Sequence, residues 1–348
     1  MPENPLRAPT VVDALPKAEL HLHLEGSIRP ETAVELAARH GVVLTPSAVA
    51  ARYNYSNFAG FIDAFKWVSS LLRDPQDYAL VTRHLAEELI AQNVVYAEIT
   101  ISAGVMLRRM QNVEANFAAI RDAVESVPAR RLRASWIFDA ARQWGGEAAV
   151  EVAHSAAKLQ PYGVVAFGLG GDEMAVPTEH FRPAFQYARG EGLHLVCHAG
   201  ELGGPEMVRE AVDLLTAERI GHGIAVMHDH ALADTLAMRR IVLENCLSSN
   251  VCTGALDKQT GKTGATIADH PLRQFIERGL AVTLSTDDPS MFHTDLLTEY
   301  SRAASLGLSN EQLVRLAQES FQHSFLPPLE KRQYLDDFAA AAKSAGLL

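Results

Sequence analysis

The sequence predicts an α/β protein, a (β/α)8 TIM barrel over residues 1–348 as one domain, with extra helices after the first strand and at the C-terminus. Three observations predict it. Eight short strand-like stretches are separated by helical ones, and parallel strands need such crossovers. Ionisable residues gather where those strands end, which is where barrels of this class carry their active groups. The length of 348 residues exceeds an ordinary domain, but such barrels commonly run past about 250 residues as one unit.

The first strand is residues 18–26, Ala-Glu-Leu-His-Leu-His-Leu-Glu-Gly. Leu20, Leu22 and Leu24 alternate with His21 and His23, and a period of two places the two sets on opposite faces of a strand. Two imidazoles two residues apart can reach one metal ion. A polar strand face that merely holds histidines is the plain alternative. Residues 27–31 read as a turn into a helix over 31–40. Phe58, Phe61, Ile62, Phe65, Val68, Ser69 and Leu72 recur at about 3.6-residue spacing and mark a second helix. Such a stripe is ordinarily core, yet it also suits the roof of a pocket for a flat ligand. Asp74-Pro75 opens a third helix that runs to about residue 92.

Strands and helices then alternate. Strands are expected at 94–102, 132–139, 164–169, 193–198, 219–222, 241–245 and 281–286. Helices are expected at 113–127, 147–159, 178–189, 205–216, 231–239 and 271–278, and a helical tail from about 295 to 348 packs outside.

Composition narrows the function. Hydrophobic residues are 48% and charged residues 21%, enough apolar mass for a large core. The net charge of −11 argues against nucleic acid, which demands a basic stripe. No apolar run reaches the roughly 18 residues of a membrane helix. Residues 1–9 are polar and proline-rich and lack an apolar signal core. Cys197, Cys246 and Cys252 form no C-x-x-C and suggest a reducing, cytoplasmic setting. Nothing in the sequence reports on oligomeric state.

At the strand ends lie His21 and His23, then Gly170-Gly171-Asp172-Glu173, His198-Ala199-Gly200-Glu201, Gly221-His222-Gly223 and Asp287-Asp288-Pro289. Each alone has a plain reading: Asp287 as a helix cap, His198 as a buried imidazole, Glu201 as a surface carboxylate, Gly170-Gly171 as a tight turn. Together they put many titratable groups on one rim, which is costly without a function. His21, His23, His198 and Asp287 offer nitrogen and oxygen ligands without thiolate. That set suits one zinc ion per chain, with a position open for water; iron, manganese or cobalt suit it too. A bound water there would have its pKa lowered to roughly 7. Glu201, His222 and Asp288 remain as candidate catalytic groups. Glu201 can keep a raised pKa in a pocket and donate a proton, His222 can orient or deprotonate water, and Asp288 can take a hydrogen bond.

These residues carry a resemblance. His-Leu-His-Leu-Glu-Gly (21–26), Gly-Gly-Asp-Glu (170–173), His-Ala-Gly-Glu (198–201), Ile-Gly-His-Gly (220–223), Ser-Ser-Asn-Val-Cys-Thr-Gly (248–254) and Ser-Thr-Asp-Asp-Pro (285–289) resemble the adenosine deaminase family of the amidohydrolase superfamily, in that family's order. The resemblance implies hydrolytic, zinc-dependent deamination of a small 6-aminopurine. It implies His21, His23, His198 and Asp287 as zinc ligands and Glu201 as proton donor to purine N1. It implies His222 as base, Asp288 at N7 and the Gly171 backbone at N3. The chemistry agrees, because an aromatic C6 resists water unless N1 is protonated and the nucleophile activated. The H-x-E and P-C-x-x-C elements of the other zinc deaminase class are absent. Gly-Leu-Gly-Gly (168–171) also stands where a two-metal amidohydrolase would place a bridging lysine.

Departures from the family pattern bear on substrate. Glu25 replaces the aspartate usual in adenosine-specific members, a position that reaches the ribose 5′ hydroxyl. Residues 97–104 replace an Arg-x-Ser-Pro-like segment, and Leu247 stands where proline is common. The departures imply a nucleoside altered at its 5′ end. Aminodeoxyfutalosine fits: it joins adenine to a benzoate and is an intermediate of menaquinone biosynthesis. Adenosine, adenine, or another ring C–N bond are the alternatives. Arg108, Arg109 and Arg142 are the candidates to bind the carboxylate in bidentate fashion, against the plain reading of surface arginines.

Overall fold

The computed structural model describes residues 8–127 and 132–347. Among the described residues, eight strands form one parallel sheet in sequential order: β1 Lys17–His23, β2 Val94–Ile101, β3 Arg133–Ala141, β4 Val164–Gly170, β5 His194–Ala199, β6 Arg219–His222, β7 Val242–Asn245 and β8 Ala281–Leu284. The sheet curls into a nearly closed barrel. Beyond β8 the chain meets β1 again: Asp287 N–H donates to His21 O at 3.0 Å, and His23 N–H to Asp287 O at 2.8 Å.

Between β1 and β2 lie four helices, α1 Pro30–Arg39, α2 Pro46–Arg52, α3 Phe58–Ser69 and α4 Pro75–Ala91. Local chemistry starts each of the last three. Thr45 and Asn57 accept from backbone N–H groups of α2 and α3, and Asp74 with Asp77 makes a capping box on α4. Later strands are followed by α5 Ala103–Arg108 and α6 Val113–Ser126, α7 Gly145–Leu159, α8 Arg182–Gly190, α9 Pro205–Asp213 and α10 His230–Arg239. After β7 come α11 Leu247–Cys252, α12 Ala255–Thr260 and α13 Leu272–Glu277. The tail is α14 Leu296–Ser305, α15 Asn310–Gln322 and α16 Pro328–Ser344.

The expected strands and longer helices are present. Periodicity did not reveal α2, α5, α11 and α12, of six or seven residues each, because so short a helix shows barely two turns of pattern. The first strand also ends earlier than expected. It stops at His23, and residues 25–27 form a 3-10 turn. The turn brings Gly26 against Asp288, where a Cβ would lie 1.7 Å from Asp288 Oδ1, so only glycine fits. Leu20, Leu22 and Leu24 join the main apolar cluster, as the alternation demands.

The tail helix α15 packs on β1 and β8, and the turn after it, residues 323–325, lies against the first residues of β5 and β6. All three cysteines are free thiols. No helix among the described residues is long and apolar enough to cross a membrane.

Candidate metal centre and active site

The barrel brings the strand ends together. His21 and His23 leave β1, His198 leaves β5, and Asp287 follows β8. Their ligating atoms all lie within 4.8 Å of one another. Asp287 Oδ1 is 3.4 Å from His21 Nε2 and 3.2 Å from His23 Nε2, and His23 Nε2 is 3.3 Å from His198 Nε2. The backs of the His21 and His198 rings are tied. His21 Nδ1 meets Glu244 Oε2 at 2.8 Å, and His198 Nδ1 donates to the Leu169 carbonyl at 3.1 Å. These partners place the proton on Nδ1 and leave Nε2 as a free donor atom, the pattern of imidazoles that hold a metal.

Two features of the protein itself fit a cation at this point. His21 Nε2 is buried and has no hydrogen-bond partner. Burial would lower His21, yet Asp287 and Glu244 outweigh burial and raise it to about 10, so the position attracts positive charge. Asp287 is held well below the usual carboxylate range, since the neighbouring imidazoles of His21, His23 and His222 overcome its burial.

Beside this group stand the other strand-end residues. His222 Nε2 is 3.7 Å from Glu201 Oε2 and 3.8 Å from Asp287 Oδ2. Burial lowers His222 to about 4, so its imidazole is neutral at pH 7. Burial, then the charges of Asp287 and Glu173, push Glu201 well up. Burial and the adjoining Asp287 charge do the same to Asp288. One lowered imidazole thus faces two raised carboxyls, the divergence that acid–base chemistry needs.

These groups form the floor of a cavity of about 470 Å³. Phe58, Phe61, Ile62 and Phe65 of α3 line its upper wall, so the aromatic stripe faces the open volume. Trp144, Lys66, Arg108 and Arg109 line it as well. Gly171 lines it through its backbone at φ +89°, where a Cβ would come within 2.3 Å of Gln143 Oε1.

Not every expected residue faces the cavity. Arg142 corrects the expectation of a rim arginine. It is 1% exposed, and its guanidinium donates to Thr178 Oγ1 and the His198 carbonyl, each at 3.3 Å. A buried guanidinium needs such partners, and with them Arg142 supports the β5 end instead of a ligand. Arg108 lies 5.3 Å above the Trp144 ring, while Arg109 donates to the Ser69 carbonyl at 2.5 Å. Glu25 is buried behind the wall, where its Oε1 accepts from Ser102 N–H at 3.0 Å.

The family model described as adenosine deaminase matches residues 16–341. The chain belongs to the adenosine deaminase family. It is a hydrolase of that family, and the resemblance seen in its motifs holds over nearly its whole length. Among its adenosine deaminase family relatives, an aminodeoxyfutalosine deaminase of Streptomyces coelicolor is 41% identical over 97% of this chain and 87% of its own length. An adenine deaminase of Rhizobium leguminosarum bv. trifolii is 32% identical over 90% and 95%. The crystal structure of adenine deaminase from Arthrobacter aurescens superposes with a TM-score of 0.86 at 29% identity, covering 95% of this chain and all of that one.

The structure gives contacts at the site to residues that the sequence reading left without a role. Glu244 of β7 holds His21. Glu173 Oε2 accepts from Leu202 and Gly203 N–H and fastens the loop that carries Glu201. Asn250 Nδ2 is 3.1 Å from His222 Nδ1, and Thr253 Oγ1 donates to Glu201 Oε1 at 3.3 Å. Asp139 of β3 lines the cavity, and burial pushes it to about 7. A signal existed for Glu244 and Asp139: each is the one acid of its strand, where an unpaired charge is costly.

Proposed function

We propose that the protein catalyses zinc-dependent hydrolytic deamination of a 6-aminopurine nucleoside extended by an anionic group, with aminodeoxyfutalosine of the menaquinone pathway as the favoured substrate. The observation that carries this reading is the charge layout of one cavity. Acids and imidazoles stand on its floor, and Lys66, Arg108 and Arg109 stand elsewhere on its wall. At about 470 Å³ the cavity has room for more than a base. The identity to the Streptomyces aminodeoxyfutalosine deaminase supports the same substrate.

His21, His23, His198 and Asp287 would hold the zinc, which when bound supplies the Lewis acidity that makes water nucleophilic at neutral pH. The remaining steps belong to the chain. Glu201, kept protonated by burial, holds its proton at purine N1 and makes C6 electrophilic. His222, neutral and accepting from Asn250 Nδ2–H at Nδ1, presents Nε2–H to the site and orients the attacking water, whose proton leaves with the ammonia. Asp288, also protonated, donates to N7, and the Gly171 backbone meets N3. Water adds at C6, the amino group leaves as ammonia, and a 6-oxopurine remains. At the far wall Arg108 or Arg109 pairs with the carboxylate.

A second reading is adenine deamination. The likeness to adenine deaminases favours it. Comparing kcat/KM on aminodeoxyfutalosine, adenosine and adenine, by the change in purine ultraviolet absorbance, separates the readings. A large preference for aminodeoxyfutalosine is expected. Preference for adenine would replace the leading reading with the second.

A further inference from the structure

A line of charged side chains crosses the barrel core beneath the candidate metal centre. It begins at His21, whose Nδ1 is 2.8 Å from Glu244 Oε2. Glu244 Oε1 lies 2.6 Å from Arg219 Nε, and Arg219 Nη2 lies 2.5 Å from Glu98 Oε2. All are 5% exposed or less. The far end is closed by the turn between α15 and α16. Arg219 Nη1 donates to the His323 carbonyl at 3.1 Å, and Phe325 N–H donates to Glu98 Oε1 at 2.5 Å. The Phe325 ring covers the guanidinium at 3.8 Å and stacks on His194 at 4.0 Å, nearly parallel.

We infer that this C-terminal turn, through Arg219 and Glu244, positions His21 for metal binding, so that Arg219 and Phe325 act as positioning residues about a barrel's depth from the chemistry. The physical reason is continuity. Glu244 keeps one oxygen on His21 Nδ1–H while the Arg219 charge, 2.6 Å from its other oxygen, draws that oxygen the opposite way. Arg219 is held in turn between Glu98 and the Phe325 face. A buried arginine pinned on both carboxylates has no alternative rotamer that keeps its partners. Two carboxylates against one guanidinium also leave an excess negative charge below His21, which a cation at Nε2 offsets. Partners behind a metal-binding histidine typically contribute 10–100-fold in metal affinity.

The inference rests on the metal reading above, and two measurements keep the two apart. The first is the zinc dissociation constant of the full chain, read by competition with a chromogenic chelator. Arg219→Met should raise it by about 10–100-fold and Phe325→Ala by about tenfold. Arg219→Lys should recover part of the loss. Phe338→Ala, which removes a buried ring of α16 off this line, should lower the melting temperature and leave zinc affinity unchanged. The second is the His21 Nδ1–H resonance of 15N-histidine-labelled apoprotein, which reads the contact without metal. It should move in Arg219→Met and Phe325→Ala and stay in Phe338→Ala. If Arg219→Met does not fold, Phe325→Ala decides. Wild-type zinc affinity and an unmoved His21 proton in Phe325→Ala overturn the coupling. Failure of the wild type to bind zinc while the proton still moves overturns the metal reading and leaves the coupling.

Discussion

His222 and Glu201 face one another at 3.7 Å at the closed end of the cavity, and burial acts on them in opposite directions. It strips the proton from the imidazole and keeps it on the carboxyl. Burial is the largest cause of both shifts, and the charges of Asp287 and Glu173 add to that of Glu201.

Glu201→Gln keeps the shape and the contact with Thr253 but cannot give up a proton to a ring nitrogen. A loss of about 10²–10⁴ in kcat is expected. The melting temperature should hold, because an uncharged group replaces another. Turnover within threefold of wild type would remove Glu201 from the chemistry.

The pH profile follows with its signs. His222 works while neutral, and its value of about 4 means activity survives acidification through the ordinary histidine range near 6.5. Glu201 and Asp288 work while protonated, and both are raised. Activity should therefore fall as pH rises through their elevated values, above the ordinary carboxylate range. A rate–pH series on metal-replete protein checks both limbs; an acid limb centred near 6.5 would contradict the first.

His270 supplies a stability prediction. Its Nε2 is 3.1 Å from Asn250 Oδ1, its Nδ1 accepts from Leu272 N–H at 3.1 Å, and burial lowers it to about 3. The unfolded chain binds a proton near 6.5 that the folded chain refuses until about 3. Its contribution is thus complete above pH 6.5 and is lost as pH falls toward 3. Melting temperatures measured between pH 7.5 and 4 should drop, and His270→Gln should make the drop shallower.

Gly26→Ala tests the tight approach of the 3-10 turn to Asp288. The new methyl would lie 1.7 Å from Asp288 Oδ1 and 2.3 Å from its Cβ. The Asp288 side chain must move, at a cost of about 1–3 kcal/mol, and activity should fall with it. Chemical denaturation together with kcat reports both effects.

Arg108→Met and Arg109→Met divide the carboxylate between the two arginines. The one that binds it should raise KM for aminodeoxyfutalosine by at least tenfold and spare adenosine. Unchanged KM in both variants and in the double variant would exclude a carboxylate contact here.

The sequence by itself determined the architecture and the chemical kit. Period-two leucines and histidines, seven further strand stretches and the helices between them are local patterns, and local patterns are readable along the chain. His21, His23, His198 and Asp287 stood out because residues at strand ends of this barrel converge whatever their separation in sequence. Tertiary structure decided what no local pattern carries. Which arginine meets the cavity depends on packing: Arg108 and Arg109 line it, and Arg142, one strand on, is buried against Thr178 and His198. Glu25 turned away to Ser102 because the chain left the strand at His23, three residues earlier than expected. Glu244, Arg219 and Phe325 show no relation in sequence. They meet because the tail closes the barrel under β6, and burial then requires each charge to find a partner.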